Sequence, residues 1–237
     1  MTTELHLEDS YAKTCEANVI QIDGDKVALD RTVFYPTGGG QEHDTGHLIQ
    51  DGNEFEVYKV KKEGGIPVHY LKNPEGLSVG AVEATIDWER RFGLMRHHSL
   101  LHVLAAVLNT ERGSLCTGNQ IYPDRARIDL TEISELSNDK LESAIMKANE
   151  EIQYNHPISV RVLPRDEAEQ ISGAIKTVVN LIPPAVKDIR LVRIGDIDEQ
   201  ACGGTHVKDT AEIGVFTLEK VKNKGKGITR LEVRVAN

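Results

Sequence analysis

Two short runs carry residue types that bind metals: His98-x-x-x-His102 and Cys202-Gly203-Gly204-Thr205-His206. Three imidazoles and one thiol make a complete donor set for a zinc ion. The first run lies in Arg91-Phe-Gly-Leu-Met-Arg-His-His-Ser-Leu-Leu-His-Val-Leu-Ala-Ala-Val-Leu108, which reads as helix. Positions i and i+4 of a helix sit one turn apart on one face, so both rings can reach one ion. Adjacent Gly203 and Gly204 disfavour helix in the second run. A loop that wraps Cys202 and His206 around bare backbone leaves space beside the ion, which points to a catalytic centre more than to a zinc staple. The backbone N–H groups of Gly203 and Gly204 are candidates to stabilise a developing oxyanion. Spacing alone leaves a second reading of the first pair open, a packed helix with one buried and one half-exposed histidine.

The elements that must position these donors begin near residue 88. An apolar stripe of Leu94, Leu101, Leu104, Ala105 and Leu108 predicts a helix running to about Asn109. A second helix is expected from about Asn138 to Asn155, with Leu141, Ile145, Ala148 and Ile152 on one face and His156-Pro157 ending it. Ile158–Leu163 reads as a strand, Arg165–Ser172 as a short helix, and Ile189–Ile194 as a strand leading directly into the cysteine loop. Val215–Val221 and Thr229–Val235 form a hairpin around Asn223-Lys-Gly-Lys-Gly227. Before residue 88 the chain reads as short strands: two joined at Asp23-Gly24-Asp25, then Phe55–Val60, Ile66–Leu71 and Val82–Ile86. The expected class is α+β, with a small β-barrel or sandwich over residues 1–88 and an α+β domain over residues 89–237.

Composition narrows the function classes. The apolar and charged fractions are those of an ordinary globular protein, and no apolar run approaches the length of a membrane span. The start, Met-Thr-Thr-Glu-Leu-His-Leu-Glu, lacks the basic and apolar stretches of a signal peptide. Three cysteines (Cys15, Cys116, Cys202) are an odd count for a disulfide framework, so a reducing, cytoplasmic setting is expected. Net charge is −9, yet from Leu218 onward six basic residues face two acidic ones, a local +4. Lys222, Lys224, Lys226 and Arg230 within that patch are candidate phosphate contacts on an acidic body; the alternative is a solvated lysine-rich hairpin.

Two further segments are candidates for the substrate side. Gly38-Gly39-Gly40, followed by Gln41, permits backbone shapes and close approaches closed to other residues, and reads as a loop lying against a substrate or against the metal-bearing domain. A wide barrel turn is the structural alternative. It has neither P-loop nor dinucleotide-fingerprint spacing. Cys116 and Thr117 follow the metal helix closely and could face the same cavity. The remaining histidines (His6, His43, His47, His69, His97, His156) are expected at the surface or in satisfied structural positions, His43 being the exception to watch because it adjoins the glycine run.

Together these residues resemble a known family. Arg96-His-His-Ser-Leu-Leu-His102 with Ala201-Cys-Gly-Gly-Thr-His206 is similar to the paired zinc motifs of alanyl-tRNA editing domains. Phe34-Tyr-Pro-Thr-Gly-Gly-Gly-Gln41 with His43-Asp-Thr-Gly46 is similar to the glycine-rich signature of the accompanying N-terminal domain. Asp124-Arg-Ala-Arg-Ile-Asp-Leu130, Gly225-Lys-Gly227 and Arg230 also match the pattern. The chain thus resembles the AlaX family of trans-editing proteins, of the medium-length type, along nearly its whole length and in the same order. It is too short for a synthetase catalytic domain as well.

The resemblance implies one zinc ion per chain, a barrel like those of translation factors, and an editing domain shared with alanyl- and threonyl-tRNA synthetases. It implies tRNA(Ala) carrying Ser or Gly as partner, with no membrane and no other protein, and hydrolysis of that ester while Ala-tRNA(Ala) is spared. Bacterial alanyl-tRNA synthetase editing sites often carry Gln shortly after the metal helix; this chain places Cys116 there, so no role for Gln is transferred. Four protein ligands would close a tetrahedral site, so turnover demands that Cys202 or His206 detach or that coordination expand to five. Thr117 is the candidate to bond the serine hydroxyl. Two rival functions are a zinc hydrolase of another small ester or amide and a non-catalytic, zinc-stabilised tRNA-binding module.

Overall fold

The computed structural model describes residues 2–133, 137–171 and 186–236. Its strands are β1 (Thr3–Glu4), β2 (Thr14–Asp23), β3 (Lys26–Leu29), β4 (Arg31–Thr32), β5 (Gly46–Gln50), β6 (Asn53–Glu63), β7 (Ile66–Leu71) and β8 (Gly80–Ile86), followed by helix α1 (Trp88–Arg112). Then come β9 (Cys116–Ile121), β10 (Ala126–Leu130), α2 (Asn138–Gln153), β11 (Ile158–Pro164), α3 (Arg165–Ala168), β12 (Asp188–Ile194), β13 (Asp198–Ala201), β14 (Phe216–Gly225) and β15 (Ile228–Val235). The class is α+β. The chain divides into two compact units, Met1–Leu94 and Met95–Asn237, with the division inside α1. Among the described residues no helix is long and apolar enough to cross a membrane.

In the first unit six strands close a barrel in the order β2-β3-β7-β6-β5-β8. Of the two expected architectures, barrel and sandwich, the chain forms the barrel. Alternation drives it: Val27 and Leu29 of β3, Phe55 and Val57 of β6, and Val82, Ala84 and Ile86 of β8 point inward and are buried together. In β6 the inward spacing changes from two to three between Val57 and Val60, because a bulge shifts the register between Val57 and Lys59. The barrel closes where β5 meets β8, and there Gly46 lies so near the Thr85 carbonyl that any Cβ would collide with it. β5 itself is not among the expected strands. Its buried Gln50, bonded to Ser78 and Ala81, breaks the apolar alternation that identifies a strand.

The glycine run is a tight turn pinned to this barrel. Gly38 and Gln41 exchange backbone hydrogen bonds of 3.1 and 2.9 Å, and Gly39 and Gly40 take positive φ. Tyr35 donates its hydroxyl to the Gly38 carbonyl, and Thr37 donates its amide to the Val60 carbonyl on β6. His43 spans Thr37 and the Tyr58 carbonyl with its two ring nitrogens, so it clasps the turn to β6. Asp44 accepts the Tyr35 amide and forms a fully buried ion pair with Arg91 in the first turn of α1. The same guanidinium donates to the carbonyls of Ser10 and Val33.

In the second unit one sheet runs β14-β15-β10-β9 and another β11-β12-β13. The strand expected to lead directly into the cysteine loop is instead the middle of that second sheet: β12 turns into β13, and β13 delivers Cys202. α2 buries Leu141, Ala144, Ala148 and Ile152; Ile145, expected in that stripe, is only half-buried. Helix α3 is shorter than expected, and Ser172, its anticipated end, lies outside the described residues. The β14–β15 hairpin is longer than expected and closes on Lys226-Gly227, both with positive φ, as a two-residue turn of type I′ requires.

His69 on β7 gives the barrel a pH-dependent element. It is buried, with Nδ1 donating to the Val27 carbonyl and Nε2 accepting from Thr32. Burial, partly opposed by the Val27 bond, pushes its pKa down to about 4. As pH falls the unfolded imidazole takes up a proton first, so this stabilisation is complete above about 6.5 and is lost progressively towards 4. It amounts to about 3 kcal/mol. Urea denaturation of the full chain should show wild type losing more stability between pH 6.5 and 4.5 than His69→Gln; equal losses would overturn this assignment.

Candidate metal centre

α1 carries His98 and His102 one turn apart, with ring centroids separated by 5.2 Å. The loop after β13 brings His206 to 4.3 Å from the first ring and 4.6 Å from the second. Cys202 Sγ lies 3.5 Å from His98 Nε2 and 3.3 Å from His206 Nε2. All four donor atoms fall within 4.8 Å of one another, so the group could hold a metal ion. Bonds of about 2.0–2.3 Å at tetrahedral angles place neighbouring donors about 3.3–3.8 Å apart. The measured sulfur–nitrogen separations match that spacing, and the donors fit a zinc-sized ion.

Three of the four donors have neighbours outside the set that fix or approach them. Arg190 of β12 donates to the carbonyls of Cys202 (2.7 Å) and Gly204 (3.0 Å), which fixes the bend of the loop. The Gly204 amide donates to Cys202 Sγ at 3.3 Å. Of the two amides considered for an oxyanion, that of Gly204 is therefore committed to sulfur, which leaves the amide of Gly203. A Cβ at Gly203 would meet nothing within 4 Å, so the bare backbone does border open space. On the helix side, Ser99 Oγ lies 3.0 Å from His206 Nδ1 and accepts the Val207 amide. Asp198 Oδ2 sits 3.4 Å from His102 Nδ1.

The neighbours of His98 are equally occupied. Arg96 donates to the carbonyls of Ile213 and Ala236, and His97 Nε2 accepts the Val235 amide, so both tie α1 to the final strand and the segment before β14. His97 is thus a satisfied structural histidine. His156 is another, paired with Glu151 at 2.8 Å.

Electrostatics prepares the cluster for a cation. Burial works to raise the Cys202 pKa, but the imidazoles of His98 and His206 and the contacts of its sulfur with His102 and His206 outweigh it, holding the thiol well below its usual range. Burial, reinforced by His98, pushes His206 down to about 3. For His102 burial also acts downward, yet Asp198 and Cys202 overcome it and raise the pKa to about 9. The metal-free centre therefore favours the thiolate of Cys202 and holds His206 neutral, the forms a metal requires, and a metal would have to displace a proton from His102.

The other candidate residues sit on other elements of the chain. Cys116 and Thr117 open β9, where a register shift against β10 leaves Thr117 as the extra residue of a bulge. Cys116 contacts the Gly118 carbonyl through sulfur, and burial raises its pKa. Thr117 donates its hydroxyl to the Asp129 carbonyl at 3.2 Å. The Gly38–Gln41 turn belongs to the first unit. Lys222 and Lys224 are exposed on β14, and Lys226 stands at the hairpin tip. Arg230 is engaged in a two-point ion pair with Asp129 (2.7 and 2.8 Å). Register places Arg127 and Arg234 on the same sheet face as Lys222 and Arg230, opposite the face of buried Ile128, Leu231 and Val233.

Three residues at the centre are not among the expected ones: Ser99, Asp198 and Arg190. Ser99 lies inside the His98–His102 run, and Asp198 four residues before Cys202, so the habit of metal-bound histidines to engage an outer hydroxyl or carboxylate was the available signal. Arg190 offered none, because its role depends on β12 pairing with β13.

Comparison with known proteins fits this geometry. The family model for the threonyl and alanyl tRNA synthetase second additional domain matches residues 189–232, and that for tRNA synthetases class II (A) matches residues 5–90. The alanyl-tRNA editing protein AlaX-M of Saccharolobus solfataricus is 42% identical over 98% of both chains, and that of Methanosarcina acetivorans 40% over the same share. The alanine–tRNA ligase of Hyperthermus butylicus is 37% identical over 98% of this chain, which corresponds to 25% of that protein. The chain belongs to the AlaX-M family of alanyl-tRNA editing proteins.

If the four donors form one site, His102→Ala and His206→Ala should each lower bound metal from about one ion per chain to a small fraction of that, as measured by elemental analysis after dialysis. Full occupancy in both variants would refute the shared site.

Proposed function

We propose that the protein is a zinc-dependent trans-editing hydrolase that deacylates Ser-tRNA(Ala), and Gly-tRNA(Ala) as well, while sparing Ala-tRNA(Ala). The observation that carries this reading is the His98, His102, Cys202, His206 cluster beside open space at Gly203, in a chain that belongs to an editing family. A cytoplasmic location, a barrel of the translation-factor kind in the first unit, and Gly38, Gly39, Gly40 and Gln41 on the substrate side belong to the same proposal.

The reaction is attack of water on the ester that joins an amino acid to the terminal adenosine of tRNA. Bound by the four donors, zinc would supply Lewis acidity, by polarising the ester carbonyl, lowering the pKa of a water, or holding the substrate amino group. The chain's own contributions are positional. The amide of Gly203 is placed to donate to the developing oxyanion, and Arg190 holds the loop that presents it.

Selectivity is assigned to Thr117. Its proton is directed to the Asp129 carbonyl, so the oxygen has lone pairs left to accept from a serine hydroxyl. Thr117 is exposed in the free chain, so the discrimination works once the substrate covers it: alanine would then leave that oxygen unpaired and shut off from water, and sites of this kind discriminate strongly. Glycine would be accepted on size. Phosphate contact is assigned to the basic sheet face, where Lys222, Lys224 and Lys226 carry the available charge and the Asp129 pair orients Arg230.

Zinc analysis paired with deacylation of Ser-, Gly- and Ala-tRNA(Ala) tests the function. Wild type should hydrolyse the first two and spare the third. Thr117→Val should slow the Ser substrate about tenfold or more with zinc content unchanged, and Gly203→Ala should slow both substrates by filling the open space. Wild type inactive on both, or active on Ala-tRNA(Ala) to the same degree, would defeat the proposal. For the basic face, Lys224→Ala with Lys226→Ala should weaken tRNA binding and reduce its salt slope by about one for each phosphate no longer neutralised; an unchanged slope would mark the lysines as a solvated surface.

A further inference from the structure

Metal ligands are usually described by their inner atoms, yet an imidazole has two nitrogens, and the outer one decides which tautomer is present. In this centre the outer nitrogens meet two residues that do not belong to the ligand set. His206 directs Nε2 at Cys202 Sγ, and its Nδ1 faces Ser99 Oγ at 3.0 Å. His102 turns Nδ1 away from the cluster, towards Asp198 Oδ2 at 3.4 Å. That nitrogen is buried and has no hydrogen bond of good geometry among the described residues, so the Asp198 carboxylate is the acceptor it approaches without yet meeting. Asp198 is itself buried and is oriented by Gln200, whose side-chain amide donates to the same Oδ2 at 2.7 Å.

We infer that Ser99 and Asp198 are positioning residues that fix His206 and His102 as Nδ1–H tautomers, with Nε2 of each ring facing the metal. The inference rests on the metal reading above and extends it to how the ligands are oriented. Ser99 has a second task. Its oxygen also accepts the Val207 amide at 3.3 Å, so one hydroxyl gathers two donors from the loop onto the helix that carries His98 and His102. The hydroxyl thereby joins the two halves of the centre, 107 residues apart in sequence, whether or not an ion is bound. Asp198 acts differently: a carboxylate accepting Nδ1–H makes the opposite nitrogen a better donor to a cation.

The test uses the full chain and zinc itself, with affinity measured by competition against a chromophoric chelator. Ser99→Ala and Asp198→Ala should each weaken zinc about 10–100-fold, and Asp198→Asn, which keeps an acceptor, should recover part of the loss. Cooperative melting of each metal-free variant, with Ser99→Ala lowered because His206 and Val207 lose their acceptor, shows that the fold survives and separates lost positioning from general damage. Nitrogen-15 spectra of the zinc-loaded wild type need no variant, and should show Nδ1 protonated and Nε2 metal-bound in both rings. Zinc affinity within twofold of wild type in both alanine variants, or Nε2 protonated in either ring, would overturn the inference. If wild type binds no zinc at all, the proposed function fails first; if wild type binds it and the variants bind it equally, only the positioning role fails.

Discussion

Between Leu94 and Leu108 every residue of α1 except Arg96 is buried, and Arg96 is half-buried. A helix enclosed on all sides is normally apolar throughout. This one carries Arg91, Arg96, His97, His98, Ser99 and His102, and a buried polar group without a partner costs free energy on the scale of a lost hydrogen bond or more. Each of these side chains therefore needs a specific group at a specific place: Asp44 for Arg91, backbone carbonyls for Arg96, the Val235 amide for His97, and the Val207 amide for Ser99. The demand reaches outward from the helix. It accounts for the ordering of the glycine-rich turn around Asp44 and for the fastening of the final strand to Arg96 and His97. Removing either partner of the Arg91–Asp44 pair would leave a buried charge, at a cost of about 3–5 kcal/mol.

Much of this architecture was legible in the sequence, because patterning and turn chemistry are local. Strands bounded by Gly24 and by Lys226-Gly227, the helix through His98 and His102, and the helix ended by Pro157 all follow from spacing. Two kinds of strand escaped: β10, Ala-Arg-Ile-Asp-Leu, which alternates cleanly but is only five residues long, and strands without an apolar rhythm. β9 is Cys-Thr-Gly-Asn-Gln-Ile, poor in β-branched residues, and it is a strand because β10 pairs with it. β13 is Asp-Glu-Gln-Ala, and only its pairing with β12 makes it extended. The stripe read along α1 was real but incomplete, since enclosure on all sides cannot be inferred from a one-sided pattern. His43 drew notice as a neighbour of the glycines, and it proves to be a clasp between turn and barrel.

At the candidate centre the sequence supplied the donors and missed their supports. The four candidate donors announce themselves by type and spacing, whereas Ser99, Asp198 and Arg190 act through partners that only the folded chain brings near. Those supports bear on how four protein donors could leave room for chemistry. His206 is braced from behind by Ser99. Cys202 is the less buried of the two loop donors, and its sulfur already receives the Gly204 amide and lies among imidazoles that stabilise the thiolate. A thiolate so surrounded loses less on parting from a cation than one facing hydrocarbon.

The continuity of α1 has a consequence for descent. One uninterrupted helix gives the first unit its buried arginine and the second unit two of its four candidate donors, so a cut at the boundary between units would sever a helix. A chain that inherits this helix whole inherits part of each unit with it. The ligase of Hyperthermus butylicus contains a stretch, a quarter of its length, that matches this chain almost from end to end. The match spans both compact units and the helix that runs from one into the other, so in both proteins the two stay joined in sequence.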